Sequence, residues 1–245
     1  MKRFIAILLV LLSIITYAFA ETPEQAETIK FAGLDWFITR DEFQAYMKDN
    51  GMKYQIVDYK YEKPRKGYWK PFYGKSYDMY SSDEMIDYFY TQYSKGGDNI
   101  LTCVAGYAMN AIYATFLPTY SLEKLTVGEP YKLVRATYVT HGFLSDADKM
   151  YNGLTIEEVY YDLKDKLTSL YGEPYADYDN GDGKNKKAVL WYAKDGTGVV
   201  MELEGFLYIT YGIADDADYI NGLYEVYNKI TEQTLNNNKN NTEGL

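Results

Sequence analysis

Three predicted helices of this chain begin with the same local pattern, a Ser or Thr followed three residues later by Glu. This pattern is a capping box, in which the two side chains satisfy backbone groups at the start of a helix. It occurs at Thr39, Ser81 and Thr155, and the helices are expected to end near Gly51, Lys95 and Gly172. The third helix is the clearest, because its apolar residues follow a helical period. They are Ile156, Val159, Tyr160, Leu163, Leu167 and Leu170.

Strand patterns fill the segments between these helices. Alternation predicts strands at 54–61 and 131–140, and a hairpin at Met109–Asn110 between strands 104–108 and 111–116. Near the end of the chain, Asp195–Gly196 predicts a second hairpin between strands 188–193 and 198–203. A turn at Glu204–Gly205 then leads into a strand at 206–211, and a fourth helix is expected from Asp216 to about Thr231.

This order of elements predicts an α+β fold with antiparallel meanders packed against helices. The helices at Thr39 and Thr155 are each followed by glycine and then strands, which suggests two related halves. We predict a signal peptide at 1–20, a linker at 21–30, a first half at 31–140, a second half at 141–233 and a disordered tail at 234–245.

The first twenty residues have the layout of a cleavable secretory signal. Lys2 and Arg3 precede an apolar run, and Ala18-Phe19-Ala20 provides small residues before Glu21. The alternative is an uncleaved anchor, for which this cleavage motif would be a coincidence. We therefore expect a periplasmic or extracellular protein with no stable membrane anchor after cleavage.

Composition excludes some functions and limits how the chain is stabilised. The signal holds two of the 25 basic residues and no acidic ones, so the formal net charge changes from −10 to −12 on cleavage. Such a charge argues against nucleic-acid binding. Cys103 is the only cysteine, so the fold has no internal disulfide, and its apolar surroundings predict a buried thiol. The 29 tyrosines suit strand positions, interfaces and surfaces on which sugars stack.

Short motifs resemble those of uncharacterised bacterial secreted proteins and lipoproteins. They are Phe31-Ala-Gly-Leu-Asp-Trp36, Val104-Ala-Gly-Tyr107, and Leu163–Leu170 followed by Tyr171-Gly-Glu-Pro174. The helix-then-meander units are also similar to small envelope domains of the SmpA/OmlA and β-lactamase-inhibitor type. Those domains act by binding proteins, so the resemblance implies a non-catalytic role. This chain lacks the lipid-accepting cysteine of the lipoprotein members, so the resemblance does not imply an anchor.

No catalytic, metal or cofactor site is predicted. His141 is the only histidine, and the sequence holds no G-x-S-x-G, H-E-x-x-H, Walker A or G-x-G-x-x-G motif. The Asp-rich segment from Asp177 to Gly183 does not fit an EF-hand, because position twelve of the loop would be Ala188. Acidic residues are numerous, but no spacing singles out a pair suited to glycoside hydrolysis.

One basic and aromatic segment, Lys60–Lys75, departs from the acidic background. Pro64, Gly67 and Pro71 favour a long loop. Its rings and cations suit an acidic glycan, a wall polymer or a protein partner, or else the rings anchor the loop and the lysines keep it soluble. The candidate partner-binding residues are Lys66, Tyr68, Trp69, Lys70, Phe72 and Tyr73.

The sequence therefore predicts a secreted, non-catalytic envelope protein that binds a protein or a polysaccharide or wall polymer. The alternative is an extracellular hydrolase that acts on glycan or wall material through a carboxylate pair. A cleft with two facing carboxylates would favour the hydrolase, whereas a sheet surface rimmed by tyrosines would favour binding.

Overall fold

A computed structural model describes residues 24–61, 88–95, 100–141, 153–178, 187–213 and 216–240. In these ranges the helices are α1 (Arg40–Asp49), α2 (Ile156–Tyr171) and α3 (Asp216–Asn240). The strands are β1 (Gln55–Tyr61), β2 (Tyr88–Ser94), β3 (Thr102–Val104), β4 (Tyr107–Met109), β5 (Ala111–Ser121), β6 (Thr126–His141), β7 (Ala176–Asp177), β8 (Lys187–Tyr192), β9 (Thr197–Leu203) and β10 (Phe206–Ile213).

Eight of these strands form one antiparallel sheet in the order β1-β2-β5-β6-β10-β9-β8-β7, while β3 and β4 pair separately. The α+β class with antiparallel meanders is therefore confirmed. The long pair in the centre of the sheet is β6 with β10, which runs from Arg135–Gly212 to His141–Phe206. This pair joins four strands from the first part of the chain to four from the second.

Helices α1 and α2 cover one face of the sheet, which we call the helix face. Phe43 and Met47 of α1 and the buried residues of α2 pack with the strand side chains of this face in one core. The largest fully buried side chains that the strands contribute to this core are Tyr93, Met109, Ile112, Phe116 and Trp191. Helix α3 lies on the opposite face, where Leu223 packs with Leu117 and Val134.

The capping boxes predicted at Thr39 and Thr155 are confirmed. The Thr39 backbone N–H donates to Oε2 of Glu42 at 2.6 Å, and the equivalent bond from Thr155 to Glu158 is 2.7 Å. In both helices the Glu backbone N–H donates to the threonine Oγ1 at 3.2 Å. The predicted hairpin at Asp195–Gly196 is confirmed as well, between β8 and β9.

A segment ahead of α1, residues 24–38, crosses the helix face, and we call it the N-terminal strap. The Ala26 N–H donates to the Tyr171 carbonyl at 3.3 Å, and the Ile29 N–H donates to Oγ1 of Thr197 at 2.6 Å. Phe31 stacks on Tyr138 with ring centroids 4.5 Å apart. The strap includes residues predicted as a linker, and Ile29 in it is fully buried.

Several local predictions are wrong. The helix expected from Ser81 to Lys95 is a strand over Tyr88–Ser94, because Thr91 and Tyr93 alternate with less buried neighbours and face the core. Residues 81–87 lie outside the described ranges. Met109–Asn110 is not a hairpin turn, since the β3–β4 hairpin turns at Ala105–Gly106, where φ is +49° and +91°.

The third wrong prediction concerns the thiol of Cys103, which is exposed rather than buried. The apolar stretch around it forms the small hairpin outside the main sheet, so its side chain meets solvent. Helix α3 ends at Asn240 instead of near Thr231, and so it continues into the Asn-rich tail.

Candidate functional site: an aromatic edge of the sheet

The six residues predicted to bind a partner lie outside the described residues. They are Lys66, Tyr68, Trp69, Lys70, Phe72 and Tyr73. Tyr61 and Tyr88, the described residues on either side of this part of the chain, are paired across β1 and β2. Strand β1 is one of the two outer strands of the sheet.

The other outer edge, at β7 and the adjoining helix α2, carries large apolar side chains on its surface. Tyr175 is 72% exposed, Leu170 64%, Tyr178 53% and Tyr161 39%. The remaining exposed large apolar residues of the described ranges are distributed over other elements. We call Tyr161, Leu170, Tyr175 and Tyr178 the aromatic edge. Within it, Tyr175 and Tyr178 are both more than half exposed and flank one short strand.

Local sequence determines how the aromatic edge is built. Gly172 ends α2 with φ of +90°, and Pro174 prevents the helix from continuing. The Tyr175 N–H then donates to the Leu190 carbonyl and the Tyr178 N–H to the Ala188 carbonyl, both at 2.8 Å. The two tyrosines are thus fixed at either end of the two-residue strand β7.

Neighbouring side chains hold the rings of the edge in place. The Tyr175 ring meets the Tyr192 ring edge-on, with centroids 5.2 Å apart and an interplanar angle of 73°. The Lys187 ammonium donates a hydrogen bond to the Tyr161 hydroxyl and lies 4.5 Å from the centroid of that ring. Tyr175 and Tyr161 therefore each have a fixed neighbour while remaining partly exposed.

The lysines of the edge are paired with carboxylates. Lys187 Nζ lies 2.6 Å from Oε1 of Glu157, and Lys164 Nζ lies 2.6 Å from Oδ2 of Asp177. Exposed pairs of this type contribute little to stability, about 0–1 kcal/mol each. Their main effect here is on the local charge, because each positive charge has a negative one beside it.

The carboxyl groups of the described residues bear on the alternative prediction of a hydrolase. A glycosidase needs a carboxylic acid whose pKa is raised. Among the described carboxyl groups, each displaced pKa is lowered. For Asp162, hydrogen bonds from Lys166 and then from Tyr107 lower the pKa of the carboxyl group.

The described residues contain no group of three or more His, Cys, Asp and Glu side chains placed to hold a metal ion. No helix within the described ranges has the length and apolar character needed to span a membrane.

The residues of the aromatic edge were not singled out by the sequence, although one of them carries a signal. Tyr161 follows Tyr160 in α2 and so lies off the buried stripe of Val159, Tyr160, Leu163 and Leu167, which predicts an exposed ring. Leu170 was assigned to that stripe, and its exposure corrects this assignment. Tyr175 and Tyr178 flank a strand too short to produce an alternating pattern.

Comparisons of the chain with protein-family models, with curated proteins and with solved structures find no match. The function proposed for the chain therefore depends on its own residues alone.

Proposed function

We propose that this chain is a secreted, non-catalytic protein of a bacterial envelope that binds a protein or polymer partner, and that the aromatic edge is its contact surface. The observation that carries the proposal is that Tyr175 and Tyr178, at the two ends of the outer strand β7, are both more than half exposed. Tyrosine is enriched where proteins bind partners, because its ring supplies apolar contact and its hydroxyl supplies a hydrogen bond.

The position of the edge supports this use. The rings are attached to α2 and to β7, which are elements of the packed fold. A partner that meets rings already held in place loses less conformational freedom on binding than one that meets flexible loops. The export signal predicted at residues 1–20 supports an envelope location.

The test is a pull-down with the mature chain, which begins at Glu21, from the envelope fraction of the source cell. We expect recovery of one partner, with recovery strongly reduced for the double variant Tyr175→Ala, Tyr178→Ala. Both side chains are more than half exposed, so the variant is expected to fold, and a thermal unfolding curve checks this.

A matched control is Leu122→Ala, which removes a 43% exposed side chain between β5 and β6, far from β7 in strand order. Equal recovery by the native chain and the double tyrosine variant would contradict the assignment of the edge. The triple variant Lys66→Ala, Trp69→Ala, Lys70→Ala tests the basic and aromatic loop in the same assay. If only this triple variant fails to recover the partner, the contact surface lies in the basic and aromatic segment rather than at the aromatic edge.

A further inference from the structure

We propose that the partner of the aromatic edge is a neutral polysaccharide chain. This inference depends on the proposed binding function and specifies its ligand. It follows from the nature of the exposed groups, from the local charge and from the way the sheet ends.

The exposed groups are single rings rather than a continuous apolar patch. Tyr175 and Tyr178 stand at the two ends of β7, with Asp177 between them in the chain, and the Tyr161 hydroxyl accepts a hydrogen bond from Lys187. A protein partner of ordinary size buries about 800 Å² on each side around an apolar centre. A sugar chain instead needs separate ring faces for its C–H surfaces and polar groups between them for its hydroxyls.

The charges of the edge favour a neutral ligand over an acidic one. Lys187 and Lys164 are paired with Glu157 and Asp177, so they are already neutralised where an anionic polymer would need them. Glu173, immediately before Pro174, is exposed and adds a negative charge close to Tyr175. The mature chain as a whole is also acidic, and like charges reduce the rate of encounter.

The end of the sheet disfavours an extended peptide as the ligand. Peptides that bind a sheet edge do so by adding a strand through backbone hydrogen bonds. Here β7 has only two residues, and a strand this short offers few free backbone groups. Next to it, the Tyr192 carbonyl of β8 accepts a hydrogen bond from Nε2 of Gln25 at 2.9 Å.

Affinity electrophoresis tests the proposal with the mature chain in gels that contain one soluble polymer each: a neutral β-glucan, a neutral α-glucan, a neutral mannan, or polygalacturonate as the acidic probe. We expect at least one neutral polymer to retard the native chain and polygalacturonate to have no effect. Tyr175→Ala and Tyr178→Ala are each expected to weaken binding about tenfold, which is the size expected for one aromatic contact.

Two further variants separate stacking from other roles. Tyr175→Trp keeps a ring face and should retain binding, and Leu122→Ala should behave as the native chain does. The proposal is overturned if none of the neutral polymers retards the chain, if polygalacturonate alone does, or if the tyrosine variants bind as tightly as the native chain.

The outcome also distinguishes this proposal from the proposed function. If the envelope pull-down recovers a protein through Tyr175 and Tyr178 and the neutral polymers do not bind, the binding function stands and the polysaccharide ligand is wrong. If the tyrosine variants change neither assay, both proposals fail.

Discussion

Gly222 shows how a single residue fixes the distance between a helix and the sheet. A Cβ atom at this position of α3 would lie 2.9 Å from Cε2 of Tyr120 and closer still to the end of that ring. The Tyr120 ring contacts Tyr219 edge-on, with centroids 5.1 Å apart. The absence of a side chain at residue 222 therefore allows this contact to form beneath the helix.

We predict that Gly222→Ala lowers the free energy of unfolding by about 1–3 kcal/mol, the usual cost of overpacking. The gain of about 1 kcal/mol in helix propensity offsets part of that cost, because the Tyr120 ring must give up its edge-on contact with Tyr219 to make room. Chemical denaturation measures the change. In a Tyr120→Ala background the same substitution should instead stabilise the chain by about 1 kcal/mol, and stabilisation in the native background would contradict the argument.

The capping carboxylates of Glu42 and Glu158 give the stability a dependence on pH. Hydrogen bonds from the backbone N–H and then the side chain of Thr39 lower the pKa of Glu42, and Thr155 does the same for Glu158. A carboxyl group whose pKa is lower in the folded chain than in the unfolded chain stabilises the fold. This contribution is complete above the pKa of the unfolded chain, near 4.5, and is lost as the pH falls through the pKa of the folded chain.

We predict that the double variant Glu42→Gln, Glu158→Gln is less stable than the native chain at pH 7 and that the difference shrinks as the pH falls below 4.5. Glutamine keeps a side-chain oxygen for the cap but does not titrate. Thermal unfolding at intervals between pH 7 and pH 3 measures the difference between the two chains. A difference that stays constant over this range would exclude the two carboxylates as its source.

At the level of elements, sequence patterns predicted those structures that depend on near neighbours. Helices α1 and α2 and the β8–β9 hairpin follow from capping and turn residues that act within a few positions. The strand β2 was missed because the capping pattern at Ser81 was extended across residues whose partners, β1 and β5, lie elsewhere in the chain. Long-range pairing decided the outcome there.

The N-terminal strap depends on one hydroxyl group that no sequence pattern marks. Thr197 is buried and accepts a hydrogen bond from the Ile29 N–H, while its own hydroxyl donates to Oδ1 of Asp195 at 2.6 Å. The residues that meet here are far apart in the sequence. Only the folded chain shows that the strap is part of the core.

We predict that Thr197→Val lowers the free energy of unfolding by about 1–3 kcal/mol, since it leaves the buried Ile29 N–H without its acceptor. Thr197→Ser keeps the oxygen and should cost much less. Denaturant titration of both variants compares them. Equal losses for valine and serine would show that the methyl group, rather than the hydrogen bond, matters at this position.

At the level of the whole molecule, the sequence indicated the order of elements but not the arrangement of the sheet. Two runs of a helix followed by strands were visible, and the structure places the last strand of each run, β6 and β10, side by side. The outward order is then β5-β2-β1 on one side and β9-β8-β7 on the other. Nothing in the local patterns of β6 or β10 specifies this pairing, because its partners are more than 60 residues apart in the chain.

The sequence did not predict the aromatic edge as a site either. Its tyrosines come from a helix and from both ends of a minimal strand, and only the fold brings them to one border of the sheet. The abundance of tyrosine indicated that such a surface was available, but it did not show where the rings would be exposed.

Because β6 pairs with β10 in the centre of the sheet, we expect that neither run of elements folds without the other. A truncated product that ends after β6 would present one long side of that strand to solvent, with its backbone amides and carbonyls lacking partners. Such a border recruits other chains, so a premature stop after β6 would yield aggregates instead of a smaller folded unit.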